Sequence, residues 1–95
     1  MRYPIRPGVV LEEVCGEYLL LATMDAASHC PYVYQINETA AFFWRLLERQ
    51  LPEDEMLAAV VAEYDAPEEL VRRDIRQFMT DLRQKGYLLP EETQA

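Results

Sequence analysis

The residues best equipped for chemistry are few, and their spacing limits what they could do. His29 is the only histidine and stands beside Cys30, with Cys15 as the second thiol. A Cys–His nucleophile pair requires two convergent side chains and a third group that orients the base, and sequence neighbours seldom supply that geometry. A metal site fares no better, because neither a CxxC spacing nor a second histidine provides the remaining ligands. Both thiols are expected to be reduced and structural. The pairs Glu12–Glu13 and Glu68–Glu69 carry carboxylates that could act as general acid and base, yet nothing around them in sequence encloses them. They read as solvated. Three isolated glycines form no phosphate-cradling loop, so neither a cofactor nor catalysis is expected. Arg72 and Arg76 are four residues apart on what reads as one helix face. They fit either a solvated face paired with neighbouring acids or contact with the acids of a peptide partner.

These residues need elements to hold them, and the chain divides into a strand half and a helix half. Gly8 opens Val9–Val14, Cys15-Gly16-Glu17 makes a tight turn, and Tyr18–Met24 reads as the returning strand. A loop over 25–30 leads to Pro31 and a third run, Tyr32 to Ile36; proline there suits an edge or a strand start. Connections this short allow only an antiparallel meander. Tyr32, Tyr34 and Ile36 share one face while Val33 and Gln35 share the other, and a one-residue change of register exchanges which set meets the core.

Asn37 suits an N-cap, followed by Ala40, Phe43, Trp44 and Leu47 at helical spacing to about Gln50. Phe43 and Trp44 are expected beneath the sheet. Pro52 with Glu53-Asp54-Glu55 starts a second helix that runs to about Tyr64, its apolar face built from Met56, Leu57, Val60, Val61 and Tyr64. After Asp65-Ala66-Pro67, the stripe Leu70, Val71, Ile75, Phe78, Met79 and Leu82 predicts a longer third helix, capped by Gly86. Tyr87-Leu88-Leu89 packs back before a polar tail. The reading is an α+β fold, three antiparallel strands followed by three α-helices, in one domain over 1–95 with its core at about 7–89.

Composition narrows the partners. Nine Lys+Arg against seventeen Asp+Glu give a net charge of −8, which opposes nucleic acid as the primary partner. Three short helices with tight turns nevertheless keep open a winged-helix DNA-binding or transcription-regulatory reading. Residues 51–70 hold seven acids and no base, and 71–86 hold five bases against Asp74 and Asp81, a local excess too small for a strong phosphate-binding face. No apolar run approaches a membrane span, and Leu19–Ala22 is too short and too internal for a signal peptide, so a cytoplasmic protein without membrane contact is expected.

Taken together, Gly16, Leu19-Leu20, the passage Ile36-Asn37-Glu38-Thr39-Ala40 with Trp44 and Leu47, Glu63-Tyr64, Asp74, Phe78, Leu82 and Gly86-Tyr87-Leu88 resemble the PqqD-like peptide chaperones. That family is named from pyrroloquinoline quinone biosynthesis and belongs to the RiPP recognition elements. The similarity spans about residues 7–89. This chain departs from the family at Arg49-Gln50, where a glycine is frequent, and at Ala22-Thr23, where an aspartate is frequent. The resemblance implies a winged helix-turn-helix-like fold that does no chemistry itself. It implies that the chain binds the leader of a ribosomally made precursor peptide and presents it to a modifying enzyme, often a radical S-adenosylmethionine maturase.

In the family the leader adds as a strand to the third strand and lies against the third helix. Carried onto this chain, that peptide-binding site comprises Tyr32, Val33, Tyr34, Gln35 and Ile36 with Val71, Arg72, Ile75, Arg76 and Phe78. The residues lead to the same surface independently, since the last strand of a meander keeps one unpaired edge that an extended peptide can complete. The same edge could pair with a second copy of the chain, giving a homodimer through strand pairing or exchange.

Overall fold

The computed structural model describes residues 2–90; Met1 and the polar tail over 91–95 lie outside the described residues. Three strands, β1 (Val9–Val14), β2 (Glu17–Ala22) and β3 (Val33–Ile36), precede three helices, α1 (Glu38–Glu48), α2 (Glu53–Tyr64) and α3 (Glu68–Lys85). The sheet is antiparallel in the order β1-β2-β3, so the α+β reading and its element order hold.

Local chemistry explains each boundary. Val14 pairs with Glu17 across a two-residue turn in which Cys15 (φ 52°) and Gly16 (φ 81°) are both left-handed, the geometry that matches the twist of a hairpin. β2 ends at Ala22, two residues earlier than the apolar run suggests. There the Thr23 amide and hydroxyl both donate to the Gly8 carbonyl, which closes the hairpin's open end. The Ala26 amide then bonds back to the Thr23 carbonyl, and Met24–Ser28 winds into a 3₁₀ helix where the sequence suggested loop. The Asn37 side chain accepts from the Ala40 amide at 2.8 Å and caps α1. Pro52 and Pro67 stand at the N-caps of α2 and α3, each in extended φ/ψ. Asp65 and Gly86, both left-handed, end the same two helices.

All six elements share one core. Leu20 from β2, Trp44 and Leu47 from α1, Met56 and Val60 from α2, and Ile75 and Leu82 from α3 are essentially without solvent exposure. Full burial of a leucine such as Leu20 contributes roughly 1.5–3 kcal/mol. The register also settles which face of β3 turns inward: Ile36 is 7% exposed and Val33 47%. Across the sheet, Leu20 lies opposite Tyr34 and Tyr18 opposite Ile36 on the helix side, while Leu21 opposite Val33 and Leu19 opposite Gln35 make up the other face.

The two ends of the described chain are tied together. Ile5 bridges Leu88, the Arg6 amide donates to the Tyr87 carbonyl, and the Leu89 amide donates to the Pro4 carbonyl. Gln50 clamps Tyr3 by accepting from its amide at 2.7 Å and donating to its carbonyl at 2.8 Å, and the Tyr3 ring is buried. Residues before position 7 thus join the packing, a contribution the sequence did not signal.

Candidate functional site

β3 is an edge strand, and its hydrogen-bond phase decides what the edge offers. The Ala22 amide donates to the Tyr32 carbonyl at 2.9 Å, which makes Ala22 and Tyr32 a directly bonded pair. Antiparallel ladders alternate, so Tyr32, Tyr34 and Ile36 aim their main-chain groups at β2. Val33 and Gln35 then aim their N–H and C=O groups away from the sheet, and among the described residues no strand pairs with that side. An extended chain laid there would find two donors and two acceptors at strand spacing.

Beside this edge lies a groove of about 490 Å3 between β3, the start of α1, and α3. One wall is Tyr34, Gln35 and Ile36, and Asn37, Thr39 and Ala40 continue it along the first turn of α1. The opposite wall is Asp74, Gln77, Phe78 and Asp81 of α3. Phe43 and Phe78, with ring centroids 6.0 Å apart, form the floor. Both rings are largely buried, so they present only an edge to an occupant.

Tyr34 is held from two directions. Its ring stacks on Tyr87 at 5.8 Å with an 8° interplanar angle, and the Lys85 ammonium stands 4.7 Å from its centroid. The Tyr87 hydroxyl donates to the Pro31 carbonyl at 2.6 Å, joining the end of α3 to the residues that lead into β3. Burial pushes the Tyr87 hydroxyl pKa up to about 12, with smaller contributions from Cys30 and Tyr34, so it stays a donor throughout the ordinary pH range. The Cys30 thiol donates to the Ala26 carbonyl, and burial raises its pKa as well. Cys15 and Cys30 are both free thiols.

The residues expected to form the site divide into three groups. Tyr34, Gln35, Ile36 and Phe78 meet at the groove; Val33 faces the open edge, and Tyr32, 70% exposed, precedes β3. Val71 and Ile75 are inside the core, at 3% and 1% exposure, because their stripe on α3 is the one packed inward. Arg72 and Arg76 face α2 instead of the groove. The Arg76 guanidinium forks onto the Glu53 carboxylate with two bonds of 3.0 Å, and Arg72 reaches Glu53 at 3.1 Å and Glu68 at 3.4 Å. Of the two accounts of these arginines, pairing with neighbouring acids is the arrangement seen. The sequence marks Asp74 within the family resemblance but assigns neither it nor Gln77 nor Asp81 to the site. The signal was present, since positions 74, 78 and 81 share one helix face, but it surfaces only once the buried stripe of α3 is known.

The Glu53 cluster yields a pH prediction. Hydrogen bonding from Arg76 is the largest influence on Glu53 and holds its pKa below the ordinary 4.5, partly offset by burial. A depressed carboxylate pKa stabilises the fold above the unfolded value and is lost as pH falls through the folded one. Glu53→Gln is therefore expected to cost under about 1 kcal/mol at pH 7, an amount limited by solvent screening. In thermal unfolding the gap between the two proteins should close as pH drops below the ordinary glutamate range. A gap independent of pH would show that Glu53 acts through packing alone.

Among the described residues no helix is long and apolar enough to cross a membrane. Comparison with curated proteins gives no match. Two solved structures share the fold. One is TbiB1 in complex with the TbiA(beta) leader peptide, at TM-score 0.75 and 26% identity over 95% of this chain and 99% of that one. The other is a lasso peptide synthetase B1 complexed with the leader peptide, at TM-score 0.78 and 22% identity over 95% of this chain and 100% of that one. The family described as coenzyme PQQ synthesis protein D matches residues 17–88, which take in β2, β3, all three helices and every residue of the groove, and the chain belongs to this PqqD family.

Proposed function

We propose that this protein is a non-catalytic peptide chaperone that takes the leader of a ribosomally made precursor as a fourth strand on β3 and presents it to a modifying enzyme. The observation that carries the reading is the coincidence of an open strand edge with a groove. The unpaired main-chain groups of Val33 and Gln35 run alongside a hollow floored by Phe43 and Phe78. Main-chain pairing supplies affinity for extended chains in general, and alternate side chains of the guest drop into the groove and supply selection. Tyr34, Ile36 and Phe78 contact those side chains, joined by Phe43, Asn37, Asp74, Gln77 and Asp81. Val71 and Ile75 support the wall from behind, and Arg72 and Arg76 brace α3 against α2.

The leader peptides held by TbiB1 and by the second B1 protein support this reading, as does membership of the PqqD family. The modifying enzyme belongs, on this proposal, to the radical S-adenosylmethionine class. The same free edge allows the unliganded chain to pair with its own copy as a homodimer, which a leader would compete apart.

The test is titration of isotope-labelled protein with the synthetic leader of the precursor encoded beside it. Amide shifts should concentrate at Val33–Ile36 and along 74–81. Shifts that avoid both stretches would refute strand addition. Co-purification of the leader-loaded chain with the neighbouring maturase then tests the partner, and capture of an enzyme of another class would reject the radical assignment alone.

A further inference from the structure

The groove carries a charge pattern that strand addition by itself does not use. Asp74 and Asp81 line the wall formed by α3, and among the described residues no Lys or Arg lines the groove with them. One oxygen of Asp81 accepts the Gln77 amide at 3.0 Å, and among the described residues no hydrogen bond reaches its second oxygen. Among the described residues Asp74 has only the exposed Arg73 as a cationic neighbour, at 3.7 Å, too long for a strong pair. Phe78 stands between the two acids on the same helix face.

Resting on the strand-addition reading, we infer that the groove selects leaders in which a large apolar residue is flanked, two positions before and two positions after, by Lys or Arg. The spacing follows from the two periodicities. Along α3 the carboxylates lie roughly 6 Å and 4.5 Å to either side of Phe78. A guest strand presents same-face side chains about every 6.7 Å, so when one apolar side chain sits over Phe43 and Phe78, its same-face neighbours stand beside Asp74 and Asp81. Long cationic side chains absorb the remaining mismatch by laying their methylenes on the apolar floor and placing their charge at the carboxylates. Lys85, seated over Tyr34, makes the end of the groove beyond Asp81 cationic, which confines the preference for a basic guest to the stretch between the acids. The overall charge of −8 acts in the same direction at longer range.

The experiment pans a random 12-residue peptide library against the full chain and against an Asp74→Asn/Asp81→Asn variant whose amide spectrum shows the fold intact. Peptides selected by the native chain should carry Lys or Arg two residues from a large apolar residue, and this bias should vanish with the variant although binders are still recovered. For one selected peptide, affinity should fall roughly three- to tenfold for each acid replaced, and should weaken as salt rises. A version of that peptide with Gln in place of each Lys or Arg should bind both proteins alike. Selected peptides without the basic bias, or affinities that ignore both aspartates, would overturn the charge rule and leave strand addition standing. Binders that shift amides away from β3 and α3, or no binders at all, would remove strand addition and the charge rule together.

Discussion

Gln35→Pro is expected to weaken leader binding at least roughly tenfold while leaving the protein folded. Proline removes one main-chain donor and adds a ring where that donor stood. At position 35 the lost N–H is one that points away from β2, so no bond within the sheet disappears. Edge strands tolerate proline on that side. The melting temperature should therefore fall by only a few degrees, whereas a guest strand loses a main-chain bond and meets the ring at van der Waals distance. Gln35→Thr keeps the donor and should bind nearly as the native chain does. Calorimetric titration with the leader reads both variants. Normal affinity in the proline variant would show that the guest does not pair with β3, whatever it does in the groove.

Gly86→Ala is expected to cost about 2–4 kcal/mol of stability. Two effects add there. Gly86 has φ 93°, in the left-handed region where a side chain costs about 1–2 kcal/mol. A Cβ at this position would also lie 2.5 Å from the His29 carbonyl oxygen and 3.2 Å from the Cys30 Cβ, so backbone would have to move. Gly16 is an internal control, since it is also left-handed at φ 81° but has nothing within 4 Å of an added Cβ. Gly16→Ala should cost only the conformational share. For a domain of this size the alanine at 86 should lower the melting temperature by roughly 10–25 °C, and the one at 16 by about half as much. Equal losses would mean that the approach of 29–30 to the end of α3 is not tight in solution. The consequence reaches function, because the chain after Gly86 places Tyr87 beneath Tyr34 in the groove wall.

Glu53→Gln and the paired aspartate substitutions are smaller effects of a different kind. The first reports on how α3 is braced against α2, the second on how its other face meets a guest. Their separation follows from helix geometry: positions 72 and 76 lie on one side of the buried stripe at 71, 75, 78 and 82, and positions 74, 77 and 81 on the other.

Much of this molecule is legible in the sequence because the signals are local. The Asn37 cap, the Cys15-Gly16 turn, Gly86 at the end of α3, and the apolar stripes of α1 and α3 each depend on residues a few positions apart, and each is found where the spacing puts it. Strand order follows as well, since connections this short allow nothing but a meander. What the tertiary structure alone decides is which face of each element is spare. Alternation in Tyr32–Ile36 has two registers of equal local merit, and the choice between them is made by the fit of Tyr34 against Tyr87 and of Ile36 into the core. The charge of Arg72 and Arg76 leaves pairing within the chain and contact with a partner both open until Glu53 arrives from nineteen and twenty-three positions away. Asp74 and Asp81 gain a place in the site only once β3 comes to lie opposite them. A chain encodes the period of an element in its neighbours, but the partner of each face is set by packing between segments distant in sequence, and the site on this protein is made of just such faces.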